Sequence, residues 1–364
     1  MSWTITKQDL LDLAYGAALL GSGGGGDPYI GRLMAERALD RGRTVTVWDL
    51  DEAPDDGLVI STAMMGAPTV MVEKLPSGNE GVAALRALEE HLGRSAVATI
   101  PMECGGLNST LPLVVAAEAK IPVLDADGMG RAFPELQMET FHVFGVSGSP
   151  LAIANEHGDV TIVMARDNWA MEWLARGICV RMGGAAMIAE YSMSGKVAKQ
   201  VSIPRTLSLG ISLGAAVRAA RKVHGDPLAY LGEALAKASY SGPRLLFEGK
   251  VEEVFRRTTE GFVKGHAWIR AHGSTDVMRI AFQNEHLIAE VDGEPLAVVP
   301  DLICILAAET AEPITTESLR YGHRVKVVSI TPPEIMRSSA ALQVFGPAAF
   351  GLDVDYAPSV LAER

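Results

Sequence analysis

Apolar residues recur at Leu10, Leu13, Ala14, Ala17 and Leu20, the spacing of one face of a helix. Thr6 stands as its N-cap, with Asp9 three residues on in a variant of the capping box. The run Gly21-Ser22-Gly23-Gly24-Gly25-Gly26 ends that helix. Asp27-Pro28 opens a second one, with Asp27 as N-cap and Pro28 at the first helical position. From Arg43 the periodicity switches back and forth. Strands are expected at Thr44–Trp48, Leu58–Ala63, Ala96–Pro101, Pro122–Asp125 and Phe141–Val146, and helices at Glu80–His91 and Leu111–Ala119. Such alternation predicts a layered α/β domain with a mainly parallel sheet.

The pattern changes near residue 150. Leu151–Ala165 reads as a hairpin turning at His157-Gly158-Asp159, and Asn168–Arg176, Thr206–Val223 and Pro227–Ala238 read as helices. From Leu245 the chain is mostly strand, with alternating runs at Lys250–Phe255, Phe262–Ile269, Asp276–Phe282, Leu287–Val291, Leu302–Leu306 and Arg324–Ile330. Several short strands in succession predict a barrel-like or sandwich-like unit. The expected division is an α/β domain over 1–165 and, over 166–364, helices followed by a β-rich domain.

Composition narrows the function. With 364 residues, 48% of them hydrophobic and 21% charged, the chain has globular composition and room for two domains. A net charge of −12 argues against a nucleic-acid partner, because phosphate binding needs a basic surface. Cys104, Cys179 and Cys304 are odd in number and widely spaced, with no CxxC pattern. That removes a thiolate zinc site and a disulfide framework, and fits a cytoplasmic protein. The N-terminal stretch does not read as a signal peptide. The uncharged run Leu58–Val72 is about fifteen residues long and interrupted by Gly66 and Pro68, too short for a bilayer. No membrane partner is expected.

Three runs can carry chemistry. In the glycine run, backbone N–H groups of Gly24, Gly25 and Gly26 can close on a ligand at the start of the second helix; a tight helix–helix connection is the plainer alternative. The run follows a helix rather than a strand and lacks a GK[ST] continuation, so no nucleotide is expected. Met102-Glu103-Cys104-Gly105-Gly106-Leu107-Asn108 follows a strand, where ligand sites of open α/β sheets lie. Its plain reading is a turn capped by Asn108 or Ser109, and Cys104 reads as a small buried hydrophobe. The third run, Asp125-Ala126-Asp127-Gly128-Met129-Gly130-Arg131, also follows a strand. One carboxylate there can serve as base or metal ligand while Arg131 holds a substrate carboxylate. Of the eight histidines, His142 and then His266 merit early tests. Pro204-Arg205-Thr206, with Thr206 as a cap, and Asn284-Glu285 in a hairpin turn read as structural.

Taken together, GSGGGGDP, MECGGLN, DADGMGRAFPELQM, TTEGF, NEHLIAE, PDLI and RYGHRVKV occur in an order that resembles the S-methyl thiohydantoin desulfurase family, long associated with hydantoinase/oxoprolinase genes. The resemblance runs from about Asp9 to Pro332. It implies an N-terminal α/β domain, a C-terminal β-rich domain and a cyclic amide-like small-molecule substrate. Carried over residue by residue, it marks Gly23–Gly26 with Asp27, then Glu103, Gly105, Gly106 and Asn108, then Asp125, Asp127, Gly128, Arg131 and Glu135. Relatives carry glycine where this chain has Arg205.

The implied reaction is hydrolytic desulfurisation to a hydantoin and methanethiol. Asp125 or Asp127 would be base or metal ligand, Glu103 the partner acid and Arg131 the anchor. Backbone N–H groups of Gly24–Gly26 or Gly105–Gly106 would stabilise developing charge. A divalent metal on Asp125, Asp127 or His142 is the alternative to a general base. A non-catalytic accessory subunit of a hydantoinase-type partner is the competing reading, followed by a nucleotide-dependent enzyme. Homo-oligomerisation is also expected to be open to this chain.

Overall fold

A computed structural model describes residues 2–67, 70, 74, 76–259 and 262–359. Part of the uncharged run after Leu58, and Glu260 and Gly261 of the TTEGF run, lie outside the described residues. The chain opens with β1 (Trp3–Thr4), α1 (Lys7–Leu20), α2 (Pro28–Asp40), β2 (Thr46–Trp48) and β3 (Leu58–Gly66). Then come α3 (Glu80–Leu92), β4 (Ala98–Pro101), α4 (Leu111–Ala119), β5 (Val123–Leu124), β6 (Ala126–Asp127) and α5 (Thr140–Val143). The middle of the chain holds β7 (Leu151–Ala154), β8 (Val160–Val163), α6 (Asn168–Arg181), β9 (Ala185–Ser194), α7 (Gly195–Val201), β10 (Ile203–Pro204), α8 (Thr206–Val223) and α9 (Pro227–Leu235). Last are β11 (Ser241–Thr259), β12 (Phe262–Ala271), β13 (Val277–Gln283), β14 (Glu285–Val291), β15 (Glu294–Val298), β16 (Leu302–Ala307), β17 (Arg324–Thr331) and α10 (Ser339–Phe345).

Local signals explain the helix starts. Thr6 Oγ1 accepts from the Asp9 amide at 3.1 Å while Asp9 Oδ2 accepts from the Thr6 amide at 2.8 Å, a complete capping box. Asp27 caps α2 by accepting from the Tyr29 amide at 2.9 Å, with Pro28 next in line. Thr206 does not cap α8. Arg205 stands at the N-cap with φ +65°, and the Ser208 amide is instead met by Asp125 Oδ1 at 2.9 Å, from between β5 and β6. Phe141–Val146 is not a strand: α5 is one helical turn, pinned by Thr140 Oγ1 donating to the carbonyls of Gly128 and Val201.

The first sheet has the order β1-β2-β5-β4-β3-β9-β7-β8. Its centre, β2-β5-β4-β3, runs parallel, and β1, β9, β7 and β8 are antiparallel to their neighbours. Both faces are covered, so β3 is buried along nearly its whole length, Ser61 and Thr62 included. Leu58 and Ile60 pack with Leu85 and Leu88 of α3, while Val59, Ala63 and Met65 pack with Met171, Ala175 and Cys179 of α6. Strand β9 lies inside this sheet, so the layer continues past residue 165.

The second large sheet is antiparallel, in the order β15-β14-β13-β12-β11-β17-β16. Its edges turn toward each other, with β14 packed on β16, giving a curled half-barrel filled by Val251, Ile269, Ile280, Ile305 and Val327. A third core joins the two layers: Leu10, Leu13 and Leu20 of α1 and Leu207 and Leu213 of α8 meet Leu302, Cys304 and Ile330 of the half-barrel. The glycine run leaves α1 at that junction.

Candidate active site

Three loops converge at the seam. The glycine run lies flat against the turn after β4, where the Leu107 amide donates to the Gly25 carbonyl at 2.8 Å. A Cβ on Gly106, which has φ +57°, would stand 2.2 Å from that same carbonyl oxygen, so no larger residue fits. The third loop is the turn between β13 and β14. Asn284 takes φ +59° there, and Glu285 enters the seam. Its Oε1 accepts from the Gly25 amide at 3.1 Å. A Cβ on Gly24 would lie 2.2 Å from Glu285 Oε1, so the loop's bareness is what lets the carboxyl in.

Facing Glu285 across the cleft is Glu103. Its Oε1 accepts from Asn108 Nδ2 at 2.8 Å. Asn108 is locked to β3 by both ends of its amide, with Oδ1 accepting from the Met64 amide at 2.8 Å and Nδ2 donating to the Met64 carbonyl at 3.1 Å. Both glutamates are buried, and Oε2 of each has no partner. Burial, with the negative charge of Glu285 added, pushes the Glu103 carboxyl well above the usual range. Burial also raises Glu285, to about 8, against the opposing pull of the Arg131 guanidinium and the Gly25 amide. The two therefore hold protons at neutral pH in a place where unpaired carboxylates would be costly.

The pair lines a narrow cleft at the seam. Met64, Met65, Met102 and Phe133 give it an apolar wall, and Arg176 and Glu135 stand among its polar lining. Arg176 is held at its own end by Glu172 Oε1 at 2.6 Å and lies over the Phe262 ring.

The residues singled out in sequence divide sharply. Gly25, Glu103 and Asn108 line the cleft. Gly24 stands against the Glu285 side chain, and Gly105 and Gly106 stand behind the cleft, where backbone meets backbone. Gly26 adopts φ +77° and leads into the Asp27 cap. Asn108 is no helix cap; its amide ties Glu103 to β3. Asp127 is clasped by the Cys104 amide at 2.7 Å and the Gly130 amide at 2.9 Å, one on each oxygen. It fixes the turn that presents Glu103, and burial raises it to about 7. Asp125 is spent on α8.

Arg131 is fully buried, donating to the carbonyls of Ala132, Asp301 and His286 at 3.0, 2.7 and 3.1 Å, so its hydrogen bonds go to protein rather than to the cleft. Glu135 accepts from Gln137 beside the cleft. His142 pairs with Asn168 Nδ2 at 2.9 Å and stacks edge-on against Trp169, apart from both aspartates' contacts. His266 sits on β12 against Arg279. Cys104 is buried, and its thiol is held well above its ordinary range by that burial. Among the described residues, no group of three or more His, Cys, Asp or Glu is arranged to hold a metal ion.

Glu285 is the residue that sequence reasoning set aside. Its only local signal is the turn at Asn284, and nothing near it in the chain announces a partner about 180 residues upstream.

Fold and site define a class: an α/β layer and a curled antiparallel sheet whose seam carries a cleft with two proton-holding carboxyls. The chain belongs to the S-Me-THD-like family, whose N-terminal domain matches residues 8–165 and whose C-terminal domain matches residues 165–359. This is the family to which the ordered motifs pointed. A crystal structure of a protein from Chromobacterium violaceum is similar throughout, with 26% identity and a TM-score of 0.81 over 98% of this chain and 100% of that one. A search of curated proteins finds no match. Among the described residues, no helix is long and apolar enough to cross a membrane.

Proposed function

We propose that this protein hydrolyses the carbon–sulfur bond of a small S-methyl thiohydantoin, releasing methanethiol and leaving the hydantoin carbonyl. The observation that carries the reading is the pair Glu103 and Glu285, each with one oxygen held and the other unpartnered, on one cleft. Family membership supplies the thiohydantoin class.

The ring carbon bearing sulfur is amidine-like and electrophilic. Glu285, ionising near 8, takes a proton from water as the oxygen attacks. Glu103 enters the step protonated, with its Oε1 engaged by Asn108, so Oε2 is the oxygen that gives its proton to the ring nitrogen as water adds. The tetrahedral species then collapses as the C–S bond breaks. The proton held by Glu285 passes to the departing thiolate, giving methanethiol, while the proton of the new hydroxyl returns to Glu103 as the carbonyl forms, so Glu285 ends ionised and Glu103 protonated as they began. Met64, Met65 and Met102 offer a polarisable apolar wall for the methylthio group. Arg176, whose Nε and Nη2 are engaged by Glu172 and the Pro134 carbonyl, keeps Nη1 for a substrate carboxylate, whereas all three guanidinium nitrogens of Arg131 are engaged by carbonyls.

The test is methanethiol release from an S-methyl thiohydantoin carboxylate. Glu285→Gln should lower kcat/KM by roughly 10²–10⁴-fold and remove an acidic limb centred near pH 8. Asp127→Asn should not remove that limb. Absence of release by folded wild-type protein would discard the desulfurase reading in favour of an accessory binding subunit.

A further inference from the structure

Helix α6 presents two different faces. Met171, Ala175 and Cys179 are buried against the first sheet. Trp169 (55% exposed), Trp173 (75%), Leu174 (38%) and Val180 (59%) stand outward, a large apolar display for one helix. At about 150–250 Å² per tryptophan, these four expose on the order of 500 Å². That equals the largest apolar patch expected on a monomer. They share one open groove along the helix.

We infer that this face of α6 is the interface for a second copy of the chain, packed antiparallel about a two-fold axis through the middle of the helix. The pattern is self-complementary, as a two-fold contact requires. Bulk is concentrated in the N-terminal half, at Trp169 and Trp173. The C-terminal half offers Gly177, whose Cβ position meets open space, and the small Val180. Antiparallel pairing sets Trp169 against Val180 and Trp173 against Gly177, large into small on both sides. The same pairing brings Asp167, at one end, to Arg181, which has no ion-pair partner among the described residues. Buried on both copies, the patch removes on the order of 1,000 Å² of apolar surface. With its polar flanks that reaches the 1,200–2,000 Å² of a stable interface.

The second copy would also reach the cleft. Arg176 and Glu135 line both the α6 groove and the cleft holding Glu103 and Glu285. A partner seated on α6 narrows the mouth through which solvent enters.

Sedimentation equilibrium on the full chain tests the interface without any substrate, so it stands or falls independently of the desulfurase reading. Wild type should be a dimer. Trp173→Glu and Gly177→Arg should each weaken association at least about 30-fold. Phe255→Glu, an exposed position on β11, should leave association unchanged. Gly177→Arg guards against a folding defect in the tryptophan variant, since its side chain enters open space. A monomeric wild type, or a dimer that survives both substitutions, overturns the inference, including the case in which the monomer binds a different protein through this face.

Discussion

Glu139 and Glu190 are fully buried, and none of their four carboxyl oxygens has a partner. Burial raises both far above the usual carboxyl range; Glu190 is the next cause for Glu139, and Glu172 for Glu190. Folded protein therefore keeps these protons at neutral pH, whereas the unfolded chain releases them above about 4.3. The native state binds more protons over that window, so stability falls as pH rises from the unfolded value toward the raised folded ones. Glu139→Gln or Glu190→Gln should then gain on the order of 1–2 kcal/mol over wild type at pH 8 and nothing near pH 4. Urea unfolding at the two pH values reads this directly; an equal difference at both would show that the carboxyls are not protonated by burial. At this scale the sequence was informative about types and poor about partners. The two aspartates of the acidic turn looked like chemistry, yet both are consumed by backbone amides. Arg205 sits at φ +65°, the left-handed region that glycine favours.

Elements were legible where one face is wet or a cap is strong. Leu111–Ala119 and Thr206–Val223 fall where the pattern put them. Strand β9 was invisible because AAMIAEYSMS is buried along nearly its whole length and shows no alternation. The β15 strand hid behind the turn at Gly293, and α5 was mistaken for a strand because its apolar run is too short to show a period. The glycine run read equally well as connection or contact loop, and the structure gives it a specific burden. Gly24 does not need a positive φ, so alanine suits its backbone, but the new Cβ would push Glu285 Oε1 away and break its bond to the Gly25 amide. Gly24→Ala should cost on the order of 1–3 kcal/mol in stability, because the buried Glu285 side chain must move from Cγ outward. It should lower kcat/KM at least tenfold, because Glu285 is misplaced. Unfolding curves and methanethiol release on the same preparation separate the two effects; undiminished turnover would reduce the loop to a connector.

The molecule as a whole depends on how two layers are joined, and Arg131 lies at that joint. It comes from the acidic turn of the first layer and donates to the carbonyls of His286 and Asp301 in the second. Asp301 in turn gathers the C-terminal segment, accepting from Tyr356 Oη at 2.7 Å and from the Ser359 amide at 2.8 Å. Sequence order alone could not show this, because the partners are 155 and 170 residues apart. It is also why the strand-end rule located Glu103 and could not locate Glu285. One sheet supplies the first carboxyl and the other sheet the second, and only the packing of the layers makes them neighbours. Arg131→Met should therefore act on two properties. Three buried carbonyls lose their donor, which should cost roughly 3–5 kcal/mol in denaturant unfolding. Glu285 also loses the cation that holds it down to about 8, so in the folded variant the acidic limb of kcat/KM should move to higher pH. A stability loss with an unmoved limb would mean that Arg131 only fastens the layers. A limb that moves would mean that the contact holding the two sheets together also sets when the site loses its proton.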